Sequence, residues 1–342
     1  MSPEMLLREF DAVAEAPDGV QRLRDLILQL AVRGKLVPFG GAAPSMPLKQ
    51  LLDTDTLNGI STKPNNDPPG VPVLRISAGT SRTDAVVDEG DVRYLEVDDD
   101  TIQKFRLEPG DLLACRFNGN LQYVGKFSLY LGYSEGPRLY PDKLIRFRMD
   151  RGRVDPAYVR YAMNSADLRH EVEALCATTA GNIGLSATKL KAVPIPVPVL
   201  DVQRRIVEKV DQLMALCDEL EERQRRRVRK RDRLNRSALH HLTTAADDGE
   251  LTHQWARIRE NFGLLYDAPE TVTELRQAVL QLAVRGKLVP QDPSDEPASV
   301  LLERIEAEKR RLHAEGKIGK PKKLPAIALG EVPFGVPEGW EW

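Results

Sequence analysis

Aromatic side chains make up only 6% of the 342 residues, so the cores must be filled mainly by aliphatic side chains. Cysteine is scarcer still. Cys115, Cys176 and Cys217 are the three in the chain, and their wide separation indicates neither a disulfide framework nor a zinc site. No apolar run approaches the ~20 residues needed to cross a bilayer. The opening "MSPEMLLREFDAVAEAPDG" is acidic and amphipathic, without the basic start or apolar centre of an export signal. These absences predict a cytoplasmic chain. A large charge imbalance is also missing, the net charge being −2, which taken alone argues against a nucleic-acid binder. The average hides local blocks, however: "RQRRRVRKRDR" from Arg223 to Arg233 is almost wholly basic, while "EVDDD" at 96–100 is acidic.

What is present begins with a repeat. The stretch "LQLAVRGKLVP" occurs at 28–38 and again, letter for letter, at 280–290. The match runs backwards without a gap, Phe10 aligning with Phe262, Ala16-Pro17 with Ala268-Pro269 and Val20 with Val272. The spacing far exceeds solenoid periods, so one module is used twice. Each copy reads as a helix and its stop. Asp18 with Gln21, and Thr271 with Glu274, have the spacing of a capping box. Leu23, Leu26, Ile27 and Leu30 share one face, as do Leu275, Val279 and Leu282. Gly34 and Gly286 suit a left-handed helix end, Arg33 and Arg285 sit near the negative dipole end, and Pro38 and Pro290 prevent resumption.

Between the copies, residues 40–70 are rich in Pro, Gly, Asn and Asp and read as loops around one short helical piece, "LKQLLD". Strand-like runs follow at 71–76, 111–115, 126–132 and 143–149. Asp155-Pro156 opens a helix to about Leu175. The alternating prolines of "PIPVPVL" favour an extended exit. From Asp201 the pattern is helical for about 42 residues, on the order of 60 Å. Its seam of Ile206, Val210, Leu213, Cys217 and Leu220 alternates four- and three-residue steps, which predicts pairing with another helix. A further amphipathic helix is expected at 298–317. The fold class is therefore α+β: one mixed domain plus long helices. The expected division is a helical segment at 1–45, the mixed domain at 46–200, the long helix at 201–244 and a second helical region at 245–342.

Catalytic chemistry is poorly represented. Asp67-Pro68-Pro69-Gly70 approaches the motif of DNA amino-methyltransferases, but Gly70 cannot stack on a flipped base. The carboxylate–lysine set of a metal-dependent nuclease, a phosphate-binding loop and metal-ligand histidine spacing are all missing. Three polar loops of the mixed domain do suit duplex DNA. "ACRFNGNLQYVGK" presents Arg116, Asn118, Asn120, Gln122 and Lys126. Arginine pairs with guanine edges, and Asn or Gln with adenine edges, in the major groove. "LRISAGTSR" offers Arg75, Ser77, Thr80 and Arg82, and "ATTAGNIGLSATK" offers Thr178, Thr179, Asn182 and Lys189, groups able to take phosphates. Ordinary surface polarity would also account for each loop singly.

The segments "LRDLILQLAVRGKLVP" (23–38), "LRQAVLQLAVRGKLVPQDPSDEPASVLLERIEAEKRRL" (275–312), "PIPVPVLDVQRRIVEKVDQLMALCDELE" (194–221) and the closing "VPEGWEW" resemble the specificity (S) subunits of type I restriction–modification systems. The resemblance implies a non-catalytic reader of double-stranded DNA. In such subunits two target-recognition domains each read half of a split site. Two long helices packed as an antiparallel coiled-coil spacer hold them apart and dock methyltransferase (M) subunits, with a restriction/motor (R) subunit as a further partner. The chain itself would need no cofactor, S-adenosylmethionine being bound by the methyltransferase. The chain stops where the family's second recognition domain opens. It is therefore expected to act as a half subunit, two copies pairing through their helices. The alternative is a truncated S-like protein that sequesters methyltransferase or S-subunit partners without productive DNA binding.

Overall fold

In the computed structural model, residues 14, 16, 18–41, 43–179, 182–289, 291–320, 327 and 329–342 are described. The chain divides into two compact units, Met1–Glu222 and Arg223–Trp342.

The first unit starts with α1 (Gly19–Val32), the first repeat copy. Gly34, at φ 66°, ends it, as expected of a left-handed stop. Its start differs from expectation: Asp18 is itself left-handed and its side chain makes no capping bond. The "loop" that follows holds two strands, β1 (Ser45–Pro47) and β2 (Leu52–Asn58), with a 3₁₀ turn at Leu48–Leu51 between them. Next come β3 (Val71–Leu74), β4 (Val92–Leu95), α2 (Asp99–Phe105), β5 (Leu112–Cys115), β6 (Phe117–Asn118), β7 (Phe127–Leu129) and β8 (Leu144–Met149). The helix foreseen from Asp155 is two helices, α3 (Pro156–Met163) and α4 (Ala166–Ala174). The break has a cause. Asn164 turns its amide onto β7, accepting from Phe127 N at 3.1 Å and donating to Phe127 O at 2.7 Å, while the Ser165 hydroxyl donates back to Ala162 O. After β9 (Ala177–Thr179), β10 (Asn182–Gly184) and α5 (Ala187–Ala192), the proline-rich exit contains β11 (Pro194–Pro196), paired antiparallel with β1.

The central sheet runs β2-β8-β5-β7, all antiparallel. Alternate residues of β5 and β8 serve two cores. Leu112, Ala114, Ile145 and Phe147 face the core that α1, α3 and α4 cover, while Leu113, Cys115 and Leu144 join Leu74, Tyr130 and Tyr140 in the other. A sheet buried on both faces needs no polar alternation, which is why β5 reads as an unbroken apolar run; in β8 Arg146 and Arg148 interrupt it and find carbonyl and carboxylate partners.

The long helix α6 (Leu200–Thr244) spans 45 residues. Gln203 anchors its start, accepting from Asp155 N and donating to Pro198 O. Its seam is occupied within the first unit: Ile206 and Val210 enter the core that α1, α3 and α4 cover, and Cys217 with Leu220 packs on Val20 and Leu23 of α1. Leu213 is half-buried. Arg24 of α1 reinforces this contact, donating to Asp218 at 2.6 Å and Glu221 at 2.8 Å.

In the second unit the end of α6 packs with α7 (Asp248–Glu260), α8 (Phe262–Leu265) and α9 (Pro269–Val284), the second repeat copy, around Leu239, Leu242, Ile258, Leu275, Ala278 and Leu282. Gly286 again stops the helix at φ 66°. The expected Thr271–Glu274 cap is absent. Thr271 lies inside α9 and donates to Ala268 O, and Glu274 accepts from Asn235. A capping pair stands instead at α7, where Asp247 accepts from Glu250 N and Glu250 from Ala246 N. The last helix, α10 (Ala298–Ala314), has no buried residue.

Candidate nucleic-acid interface

The segment 115–126 is a closed loop on the first unit. Its neck is a pair of backbone bonds: Cys115 N donates to Lys126 O at 3.1 Å and accepts at its carbonyl from Gly125 N at 2.7 Å. Burial pushes the Cys115 thiol up to about 11, the mark of a dry neck. Two side-chain turns shape the tip. Asn118 accepts from Asn120 N, and Asn120 accepts from Gln122 N, so each amide oxygen helps fold the tip, and the Asn118 side chain also bonds the Cys115 thiol.

β6 in this loop pairs with β10, and β10 with β9, Ile183 lying opposite both Asn118 and Thr178. Two of the three candidate loops thus form one small sheet. It gathers Arg116, Asn118, Asn120 and Thr178 with the backbone of Thr179 and Asn182, while Ala180 and Gly181 lie outside the described residues. Gly184 is required here, because a Cβ at that position would meet the Phe117 ring at 2.4 Å. The Arg116 guanidinium lies 4.6 Å from the same ring. Its backbone N donates to Lys143 O, which brings exposed Lys143 alongside. The sequence reading missed Lys143, since only strand pairing makes it a neighbour.

Thr80, Arg82, Gln122 and Lys126 meet in a second place, a cleft of about 560 Å³ that also touches α1, α3, α4 and α6. Here the cations are partly committed. Lys126 Nζ donates to the carbonyls of Thr80 and Arg82, both at 3.2 Å, and fastens that loop. Burial, then the nearby Arg169, lowers its pKa. Arg82 is paired with Asp84 through two nitrogens. Arg169, also unforeseen, donates to Val124 O at 2.8 Å and pairs with Glu173 at 3.0 Å, so it props the 121–124 turn from α4. The remaining candidates stand apart. Arg75 and Ser77 converge on Asp91, and Lys189 Nζ donates to Leu175 O at 2.8 Å. The arrangement combines amide and guanidinium groups suited to base edges with a neighbouring cleft lined by hydroxyls and cations. Among the described residues no cluster of His, Cys, Asp and Glu could hold a metal ion, and no helix is long and apolar enough to cross a membrane.

A family model for the type I restriction modification DNA specificity domain matches residues 159–230, from α3 into α6. The specificity subunit of the type I restriction enzyme EcoAI from Escherichia coli is 31% identical over 369 residues, covering 95% of this chain and 61% of its own. Over most of its length the chain is similar to the specificity subunits of type I restriction enzymes. The EcoEI specificity subunit of Escherichia coli is 32% identical with the same coverage. The crystal structure of an HsdS subunit from Thermoanaerobacter tengcongensis aligns with TM-score 0.41 and 20% identity, over 65% of this chain and 50% of that one. The chain thus spans about three fifths of the length of the curated relatives it matches.

Proposed function

We propose that this chain is a non-catalytic DNA reader whose single mixed domain recognises one half of a bipartite site. The observation that carries this reading is the β6-β10-β9 sheet, which assembles Arg116, Asn118 and Asn120 beside Thr178 and the backbone of Thr179 and Asn182. Base edges are read by the first group and phosphates held by the second, with Thr80, Arg82, Gln122 and Lys126 supporting along the cleft. Long helices dock methyltransferase subunits, which bind S-adenosylmethionine and modify the base. A restriction subunit is a further partner. Two copies pair through their helices outside the seam of Ile206, Val210, Leu213, Cys217 and Leu220, most of which is already packed within the chain, and so present two recognition domains to a symmetric interrupted site.

A gel shift on a random duplex library, with and without the cognate methyltransferase, tests the reading. Sequence-selective retention in the presence of the methyltransferase is expected, weakened about tenfold or more by Arg116→Ala. Retention without sequence preference under both conditions overturns it and favours a sequestering role.

A further inference from the structure

The two repeat copies share their letters but not their surroundings. In α1 the face made by Leu28, Ala31 and Val32 is 9%, 1% and 8% exposed, covered by α3 and α4 of the mixed domain. Leu36 and Val37 extend that contact. Asp167, at the start of α4, locks it by accepting from Gln29 and Arg33, the latter through both Nε and a terminal nitrogen at 2.8 and 2.9 Å. The counterparts in and after α9 are identical residues left open. Leu280, Val284, Leu288 and Val289 are 65%, 53%, 47% and 71% exposed, and Gln281 is exposed beside them. Arg285 Nε, the atom matching the Arg33 nitrogen bonded to Asp167, is buried without a hydrogen-bond partner.

We propose that this face of α9 is a docking seat for the α3–α4 helix pair of a second copy of the chain. The occupant is argued from the first copy: the same residues in the same helix are already covered by that helix pair. The second copy offers Leu280 and Val284 to the apolar surface and Gln281 to Asp167. Arg285, whose Nη1 donates to Thr243 O at 3.2 Å, engages Asp167 through Nε once the Phe334 ring stacked 5.2 Å from its guanidinium is displaced. The consequence is exchange. The helix pair of one chain can leave its own α1 and take the α9 of another, linking two chains. The tethered α1 competes at an effective concentration of roughly millimolar, so exchange is the minor state until α1 is weakened. The inference does not depend on DNA reading.

Disulfide trapping tests it in the full chain. One chain carries Asp167→Cys and a second, affinity-tagged chain carries Gln281→Cys, positions whose first-copy equivalents are hydrogen-bonded at 3.0 Å. Oxidation of the mixture is expected to give the 167–281 heterodimer in clear excess over both homodimers. Equal or absent heterodimer overturns the proposal. In a parallel measurement, Val32→Glu, which unseats α1, is expected to raise the mass seen by light scattering above that of the unsubstituted chain, and added Val284→Glu is expected to reverse the rise. An increase indifferent to Val284→Glu shows general misfolding and counts against the seat. A failed gel shift with successful trapping would leave this seat standing while removing the DNA-reading assignment, and the converse also holds.

Discussion

Leu28 and Leu280 hold equivalent places in two copies of one helix, yet one is buried and the other is in water. The reversal extends to the neighbouring face. Ala278 and Leu282 are buried against α6 and α7 in the second copy, while their counterparts Leu26 and Leu30 are only half-buried in the first. Each copy therefore uses the side of the helix that the other leaves open or half-covered. The sequence "LQLAVRGKLVP" carries enough apolar surface for two contacts, and the surrounding chain decides which contact forms. An exposed leucine and valine at helical spacing in one copy are thus the second half of a two-sided element, a reading that needs both copies in view.

Crossed alanine substitutions give the largest expected break in this comparison. Leu28→Ala should destabilise the first unit by about 2–4 kcal/mol through transfer loss and cavity, while Leu280→Ala should cost less than about 0.5 kcal/mol. At the other face the order inverts. Leu282→Ala should cost the second unit about 2–4 kcal/mol, and Leu30→Ala less. Urea unfolding followed by segment-resolved hydrogen exchange separates the two units. Equal costs for Leu28 and Leu280 would mean that the α9 face is already covered in the free protein.

The strands most easily read from sequence are those buried on both faces. β5, β7 and β8 are short runs dominated by aliphatic and aromatic side chains that enter the two cores, with Ser128, Arg146 and Arg148 finding polar partners among them. β2 escaped because it is an edge strand, "LDTDTLN", with most side chains outside the core. Its extended form comes from pairing with β8, a contact some ninety positions distant in sequence. The candidate interface was legible as three polar loops but not as an assembly. β6 and β10 are too short to carry a propensity signal, so nothing local tells Asn118 that Thr178 is near. The same distance effect hid Lys143 and Arg169. Conversely, the helix stops at Gly34 and Gly286 were legible because a left-handed residue is a local requirement. The capping boxes failed because the flanking chain, and not the Asp18 or Thr271 side chain, sets where each helix begins.

A smaller effect separates the copies at the position after the conserved leucine. Arg24 is buried and bonded to Asp218 and Glu221, while its counterpart Arg276 is exposed. Arg24→Ala leaves two carboxylates beside each other without their cation. Because Asp218 is largely solvated, the cost should be about 1–2 kcal/mol, below that of breaking a fully buried pair. Arg276→Ala should stay within about 0.5 kcal/mol. Added salt should narrow the gap by screening the Asp218–Glu221 repulsion in the Arg24→Ala chain. A gap that persists unchanged in high salt would assign the loss to packing of the arginine stem against α6 and not to charge.

The finest distinction is a pH dependence that only the first copy should show. The Arg33 hydrogen bonds, then Gln29, hold the Asp167 carboxyl below its ordinary 3.8. A depressed carboxyl contributes stability that is present above its unfolded value and lost as the pH falls through the folded one. Contact between α1 and α4 should accordingly loosen as the pH drops below 3.8, while the exposed face of α9, where no carboxylate among the described residues bonds Arg285, should not respond. Amide exchange in the two helices, corrected for its intrinsic pH dependence, reads the difference. Asp167→Asn should loosen α1 already at neutral pH and flatten its acid response. Since Asp167 is solvent-accessible and its partner Arg33 exposed, the change should appear as local opening of α1 without global unfolding. An α9 helix that loosens in parallel would show that another acidic group has reached Arg285, as the proposed seat requires when it is filled.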